Sequence, residues 1–276
     1  MRAPPCFAWF ALASAALTAA CENEPPKTAL GYTESAKHAY DVAMDSFKAH
    51  SWIEAQALLR EVKRKYSYSK YARLAELRVA DADYEQEKFS EAIREYKEFI
   101  RAHRSDEEDV AYARSRVADA TYAEIPESFL MPASEERDQA SVVDAYKEIR
   151  AFLSDYPKGA HTAHAEQLLG RVIARLIRHE LYVARFYLNK ENFDAAVARI
   201  QFALRTYPQN AAAAIASDEG DSLEADALLL LGETYLKMHK WPEARQAFET
   251  IMRDHARTGI ADQAQHYLDH LKQRGV

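Results

Sequence analysis

The chain is short of the residues that bend or cross-link a backbone. Its 276 residues include 7 glycines, 9 prolines and 2 cysteines. So few turn-formers argue against a many-stranded β fold and against a Gly-rich nucleotide loop. Both cysteines, Cys6 and Cys21, lie at the N-terminus, so the rest of the chain can hold neither a disulfide nor a cysteine metal site. Positive charge is also in deficit. The formal net charge is −7, which repels a phosphate backbone and sets nucleic acid aside as a partner. Beyond the N-terminal leader, no apolar run approaches the roughly 20 residues a membrane span needs. Ala, Leu, Glu, Arg and Lys abound instead, and they predict an all-α protein.

The leader has its own logic. Phe7 to Ala20 is an uninterrupted apolar and small run preceded by Arg2. It is too short to span a bilayer but has the length of a signal-peptide core. At Cys21, in LTAACENEPP, the composition turns abruptly charged and Pro-containing. Residues 1–20 therefore read as a signal peptide. Residues 21–32 read as a lipidated N-terminus and tether, with Cys21 as the first mature residue and more than one acyl chain needed for stable anchoring. Two features depart from a lipoprotein leader: Thr18 stands three before the cysteine, and Thr18-Ala19-Ala20 also suits an ordinary signal peptidase. Glu22 leaves the choice between inner and outer membrane open.

The body repeats. An aromatic or branched residue stands three before an alanine five times: Trp52/Ala55, Phe89/Ala92, Val142/Ala145, Phe193/Ala196 and Trp241/Ala244. Each pair opens an amphipathic segment. Leu59 and Val62, Tyr96 and Phe99, Ile149 and Phe152, Ile200 and Ala203, and Phe248 and Ile251 then fall on one helical face. Upstream of each anchor a small residue precedes an aromatic: Ala43/Phe47, Ala80/Tyr84, Ala118/Tyr122, Ala184/Tyr187 and Gly232/Tyr235. A small residue lets a paired helix approach closely, and the aromatic fills the space beside it. The spacing predicts about five helical hairpins. One long helix over 161–188 should join the third to the fourth, and a capping helix is expected over 261–273. Residues 33–157 would hold repeats 1 to 3, and residues 158–276 repeats 4 and 5 with the cap.

Leu228, Leu231, Gly232, Tyr235, Trp241, Ala244 and Phe248 resemble the tetratricopeptide pattern, as do Ala184, Tyr187, Phe193, Ala196, Ala203 and Pro208. The chain is more specifically similar to the BamD family of outer-membrane lipoproteins of the β-barrel assembly machinery. The resemblance runs from about Thr33 to His255, rests most strongly on RHELYVARFYLNKENFDAAVARIQFALRTYP, Arg178 to Pro208, and is reinforced by the leader. It implies a scaffold without an active site or cofactor, lipid-anchored at Cys21 to the periplasmic face of the outer membrane. The implied partners are a BamA-like barrel subunit, other lipoproteins of the machinery, and unfolded outer-membrane proteins. Arg199 matches the family's BamA-facing arginine. Its neighbours Ala196, Ile200 and Ala203 point inward, so it should face outward and be able to pair with a partner carboxylate; as a bare residue it also reads as a solvated arginine. In the client groove that the family places on repeats 1 to 3, Tyr40, Arg78, Tyr112 and Arg116 stand near the expected concave face. There tyrosine offers apolar area with a polar tip, and arginine could meet a terminal carboxylate. Another periplasmic scaffold, for cell-envelope, division or secretion machinery, fits the same repeats.

Catalytic and metal readings find little. His266 and His270 stand four apart beside Asp262 and Asp269, but there is no HExxH, and His179-Glu180 lacks a second histidine. His161 and His164 sit at a helix entry. No GxSxG elbow is present.

Overall fold

The computed structural model describes residues 29–127, 132–207 and 222–275. Cys21 and the leader lie outside the described residues. Among those described are eleven helices and no strand: α1 (Ala29–Lys48), α2 (Trp52–Lys65), α3 (Lys70–Glu85), α4 (Phe89–Ala102), α5 (Glu107–Ala123), α6 (Ala140–Asp155), α7 (Thr162–Asn189), α8 (Phe193–Thr206), α9 (Leu223–Lys237), α10 (Trp241–Asp254) and α11 (Gly259–Gln273). Consecutive helices pack as antiparallel pairs, α1/α2 through α9/α10, with α11 closing the array. First helices also touch across pairs, α1 on α3, α5 on α7 and α7 on α9. This is a tetratricopeptide-like solenoid of five hairpins with a terminal cap.

The small residues sit where each pair crosses. Ala43, Ala80, Ala118 and Ala184 are at most 1% exposed, and Ala55, Ala92, Ala145, Ala196 and Ala244 opposite them are fully buried. The flanking aromatics close the gap edge to face, Phe47 on Trp52 at 4.9 Å and Tyr84 on Phe89 at 5.4 Å. Helix α1 begins at Ala29, so the last four residues assigned to the tether belong to the first hairpin. Tyr32 fixes that start by packing edge-on against Tyr66 at 5.4 Å.

Four of the five hairpin turns share one geometry that the sequence does not announce. His50, Glu87, Glu191 and His239 adopt φ between 57° and 59°, each two residues before its anchor aromatic. The following amide reaches back to the helix: Ser51 N–H to the Ser46 carbonyl at 3.0 Å, and the amides of Lys88, Asn192 and Lys240 to those of Asp83, Tyr187 and Tyr235 at 2.9 Å. This left-handed cap normally favours glycine. The third hairpin differs, because the segment between α5 and α6 carries Pro126 and Pro132.

Helix α7 is the spine. Its buried side, Ala165, Leu168, Val172, Ile173, Leu176, Ile177, Leu181 and Ala184, shares one apolar cluster with α5, α6, α8 and α9. A second cluster gathers α9, α10 and α11, with Leu271 of the cap 2% exposed.

These contacts set the outcome of two substitutions. A Cβ at Gly232 would lie 2.4 Å from Phe248 Cε1. That ring is fully buried and stacked on Tyr267 at 4.9 Å, so it has no room to yield. Overpacking costs about 1–3 kcal/mol and exceeds the roughly 1 kcal/mol gained in helix propensity. Gly232→Ala therefore lowers the urea midpoint, whereas Gly159→Ala, whose nearest neighbour is Thr162 Oγ1 at 3.7 Å, leaves it nearly unchanged. At exposed Glu87, replacement by glycine relieves the left-handed strain and raises stability by about 1 kcal/mol in the same assay.

Candidate functional site

Three of the four side chains nominated for the groove, Arg78, Tyr112 and Arg116, converge on one buried carboxylate. Asp81, on α3, is 3% exposed. It accepts from Arg78 Nη1 at 2.5 Å, from the Tyr112 hydroxyl at 2.9 Å on both oxygens, and from the Tyr96 hydroxyl. Arg116 Nε lies 3.7 Å from the same carboxylate. A bare buried carboxylate would be costly, and these donors are what makes the position tolerable. Three consecutive elements are thereby tied together: α3 supplies Arg78 and Asp81, α4 supplies Tyr96, and α5 supplies Tyr112 and Arg116.

The cluster extends in both directions. Arg116 lies 3.9 Å above the Tyr84 ring and donates to Asp119 at 3.2 Å, and His164 Nε2, on α7, is 3.0 Å from the other Asp119 oxygen. Tyr112 carries the Arg78 guanidinium over its ring at 5.1 Å and meets His161 edge-on at 5.8 Å. Tyr40 completes the row from α1, packed on Tyr71 at 5.7 Å.

The electrostatics keep every hydroxyl protonated and every guanidinium charged. Burial, then the Asp81 charge, pushes the Tyr112 phenol up to about 12 and raises Tyr96 further still. Burial raises Tyr40 as well, with Arg78 opposing. For Arg116 burial works against the charge, but Tyr96, Tyr112 and Asp81 outweigh it and the pKa rises. Arg78 is raised against the same opposition by Asp81, Tyr112 and Tyr40. Both arginines are therefore already committed to carboxylates within the chain. What they present outward is a fixed row of aromatic faces and the outer edges of guanidiniums, with side chains 28% and 19% exposed.

Arg199 lies apart from this row, on α8. Its side chain is 45% exposed, and Nη1 is 3.3 Å from Oε2 of Glu180 on α7, a residue only 7% exposed. Burial, then Glu180 and Tyr146, raises the neighbouring Tyr207 phenol. Arg199 thus combines an outward fork with an internal counter-charge. A guanidinium offers five donors, so one contact leaves an edge for a second carboxylate.

Sequence reasoning missed Asp81, Asp119 and Glu180, and it placed Tyr96 among core positions only. An acid at an inward helical position breaks the apolar pattern without marking what it binds; the Arg78–Asp81 spacing of three was the available signal. Among the described residues no group of three or more His, Asp or Glu is arranged to hold a metal, and no helix is long and apolar enough to cross a membrane. His179 donates from Nδ1 to the Glu135 carbonyl at 2.7 Å, and His103 lies 3.0 Å from Glu76 at a helix end.

Asp81→Asn leaves the part-buried Arg78 guanidinium without its carboxylate and Arg116 with Asp119 as its nearest, and costs about 2–4 kcal/mol in urea unfolding. Tyr112→Phe costs about 1 kcal/mol at neutral pH. Because the folded pKa of Tyr112 is raised from 10.0 to about 12, its protonated form stabilises the fold fully below about pH 10. The wild-type advantage over Tyr112→Phe therefore shrinks as pH rises from about 10 to about 12.

Residues 33–218 match the YfiO family, described as outer membrane lipoprotein. Relatives include the outer membrane protein assembly factor BamD of Xylella fastidiosa strain 9a5c, 26% identical over 252 residues, 88% of this chain and 81% of that protein. BamD of Caulobacter vibrioides is 26% identical over 233 residues, covering 84% and 70%. A thermophilic tetratricopeptide protein of Thermus thermophilus overlays 86% of this chain and 99% of its own, with 12% identity and a TM-score of 0.36. With the family pattern matched across four of the five hairpins, the chain belongs to the YfiO outer membrane lipoproteins, the family of the BamD assembly factors.

Proposed function

We propose that the chain is a lipid-anchored scaffold of the outer-membrane β-barrel assembly machinery, performing no chemical step of its own. The observation that carries this reading is the continuous relationship to BamD assembly factors over 252 residues, which takes in repeats on both sides of α7. Cys21 bears the acyl chains and holds the protein on the periplasmic face of the outer membrane. Residues 33–157 engage unfolded barrel proteins along the Tyr40–Arg78–Tyr112–Arg116 row, and residues 158–276 dock on the periplasmic part of a BamA-like subunit.

The geometry refines both contacts. In the groove, Arg78 and Arg116 are neutralised by Asp81 and Asp119, so an extended client gains mainly from aromatic faces and the outer guanidinium edges. Such a surface suits many clients of alternating apolar pattern better than one fixed terminal sequence. At the docking end, Arg199 held from within by Glu180 is already oriented when the partner arrives, which reduces the ordering cost of binding.

Co-purification of the tagged lipoprotein in mild detergent brings down a BamA-like barrel protein; recovery of cell-wall, division or secretion components in its place would favour those machineries. Arg199→Lys tests the docking residue. Lysine keeps a charge beside Glu180 and so preserves the melting temperature, but it lacks the fork needed to meet two carboxylates at once. The expected loss in association is about tenfold or more, and unchanged association would remove Arg199 from the interface. Metabolic labelling with a palmitate analogue marks the wild type and not Cys21→Ala; absence of label from both would leave an unacylated protein.

A further inference from the structure

On a chain of net charge −7, one face of α7 displays an unbroken positive and aromatic row. Arg171, Arg175, Arg178, Tyr182, Arg185 and Phe186 recur at helical spacing and fall within about 100° of arc over about 22 Å of helix. The two acids of α7 lie elsewhere: Glu166 is off this arc, and Glu180 is buried against Arg199 on the opposite side. Arg171, Arg178 and Arg185 are exposed and have no ion-pair partner among the described residues.

Two further features point to an occupant. Tyr182 and Phe186, one turn apart, are 40% and 52% exposed, apolar area that water meets without compensation. Arg175 is held in a recess, its side chain 12% exposed, with Nη1 only 3.5 Å from Glu127 and a buried Nε that meets no acceptor. Burial, then the neighbouring Arg137, lowers its pKa. That shift reports chiefly the burial of the guanidinium, a cost that a carboxylate reaching its unmet Nε would offset.

We propose that this face of α7 is a docking surface for an acidic polypeptide segment bearing aromatic or aliphatic side chains. Its carboxylates meet Arg171, Arg178 and Arg185, and its apolar groups lie on Tyr182 and Phe186. Charge complementarity gives the sign of the partner, and the aromatic pair excludes a purely electrostatic one. A polypeptide fits better than an anionic membrane, because the row is a single helix face about 22 Å long, bordered by the exposed carboxylate of Glu127. A phosphate-dense surface would be repelled along that border, whereas a single segment can pass beside it. The surface is independent of Arg199 and of the groove on repeats 1 to 3.

The test is fluorescence anisotropy of the full lipoprotein, in detergent, with a fluorescein-labelled peptide of glutamate, serine and phenylalanine. The lysine version of that peptide and phosphatidylglycerol vesicles are run in parallel. The acidic peptide binds, its affinity falls with added salt, and Arg178→Glu/Arg185→Glu weakens it at least about tenfold with an unchanged melting temperature. Phe186→Ser weakens it several-fold at every salt concentration. Should the doubly reversed chain fail to fold, Arg178→Gln/Arg185→Gln shows the same direction. No binding of the acidic peptide, equal binding of the lysine peptide, binding untouched by these substitutions, or binding of the vesicles alone would each overturn the proposal.

Discussion

Everything in this structure depends on how closely the two helices of each hairpin approach. Ala43, Ala80, Ala118, Ala184 and Gly232 remove side-chain volume at the crossing, and the aromatic that follows restores packing density beside it. Because each hairpin buries only part of its apolar surface alone, the remainder is covered by the next one, and stability accumulates by stacking. The first helices then line up across the repeats. That alignment brings Tyr40, Arg78, Tyr112 and His161, from four different elements, into a single row.

The row is organised around a cost. Burying Asp81 is unfavourable unless its charge is met, and the chain meets it with two arginines and two tyrosines. The same bonds that make the carboxylate tolerable fix the orientation of Arg78, Tyr112 and Arg116. Arg199 and Glu180 repeat the device at the other end with one pair instead of a network. In both places a buried acid fixes the orientation of a cation that is only partly exposed, so the arrangement is set by the fold itself.

The repeat count, the pairing of helices, the long α7 and the terminal cap were all legible, because each rests on apolar periodicity or on a small residue at fixed spacing. The hairpin turns were not, since His50, Glu87, Glu191 and His239 occupy a conformation that sequence reading assigns to glycine. The acids were missed for a related reason. Asp81 and Glu180 stand at inward positions, where a pattern of apolar residues records only an interruption. Of the nominated Tyr40, Arg78, Tyr112 and Arg116, the last three gather around Asp81, the group that the nomination left out.

Under the proposed function, the fourth hairpin is where the chain would meet a BamA-like barrel subunit. Phe202 lies one turn from Arg199 on α8 and is 42% exposed, which makes it a reporter that leaves the Glu180 pair intact. A photo-crosslinking amino acid at position 202, activated in intact envelopes, is expected to give an adduct containing a BamA-like barrel protein, and to lose it in Arg199→Lys. Capture of other envelope proteins without that adduct would contradict the account.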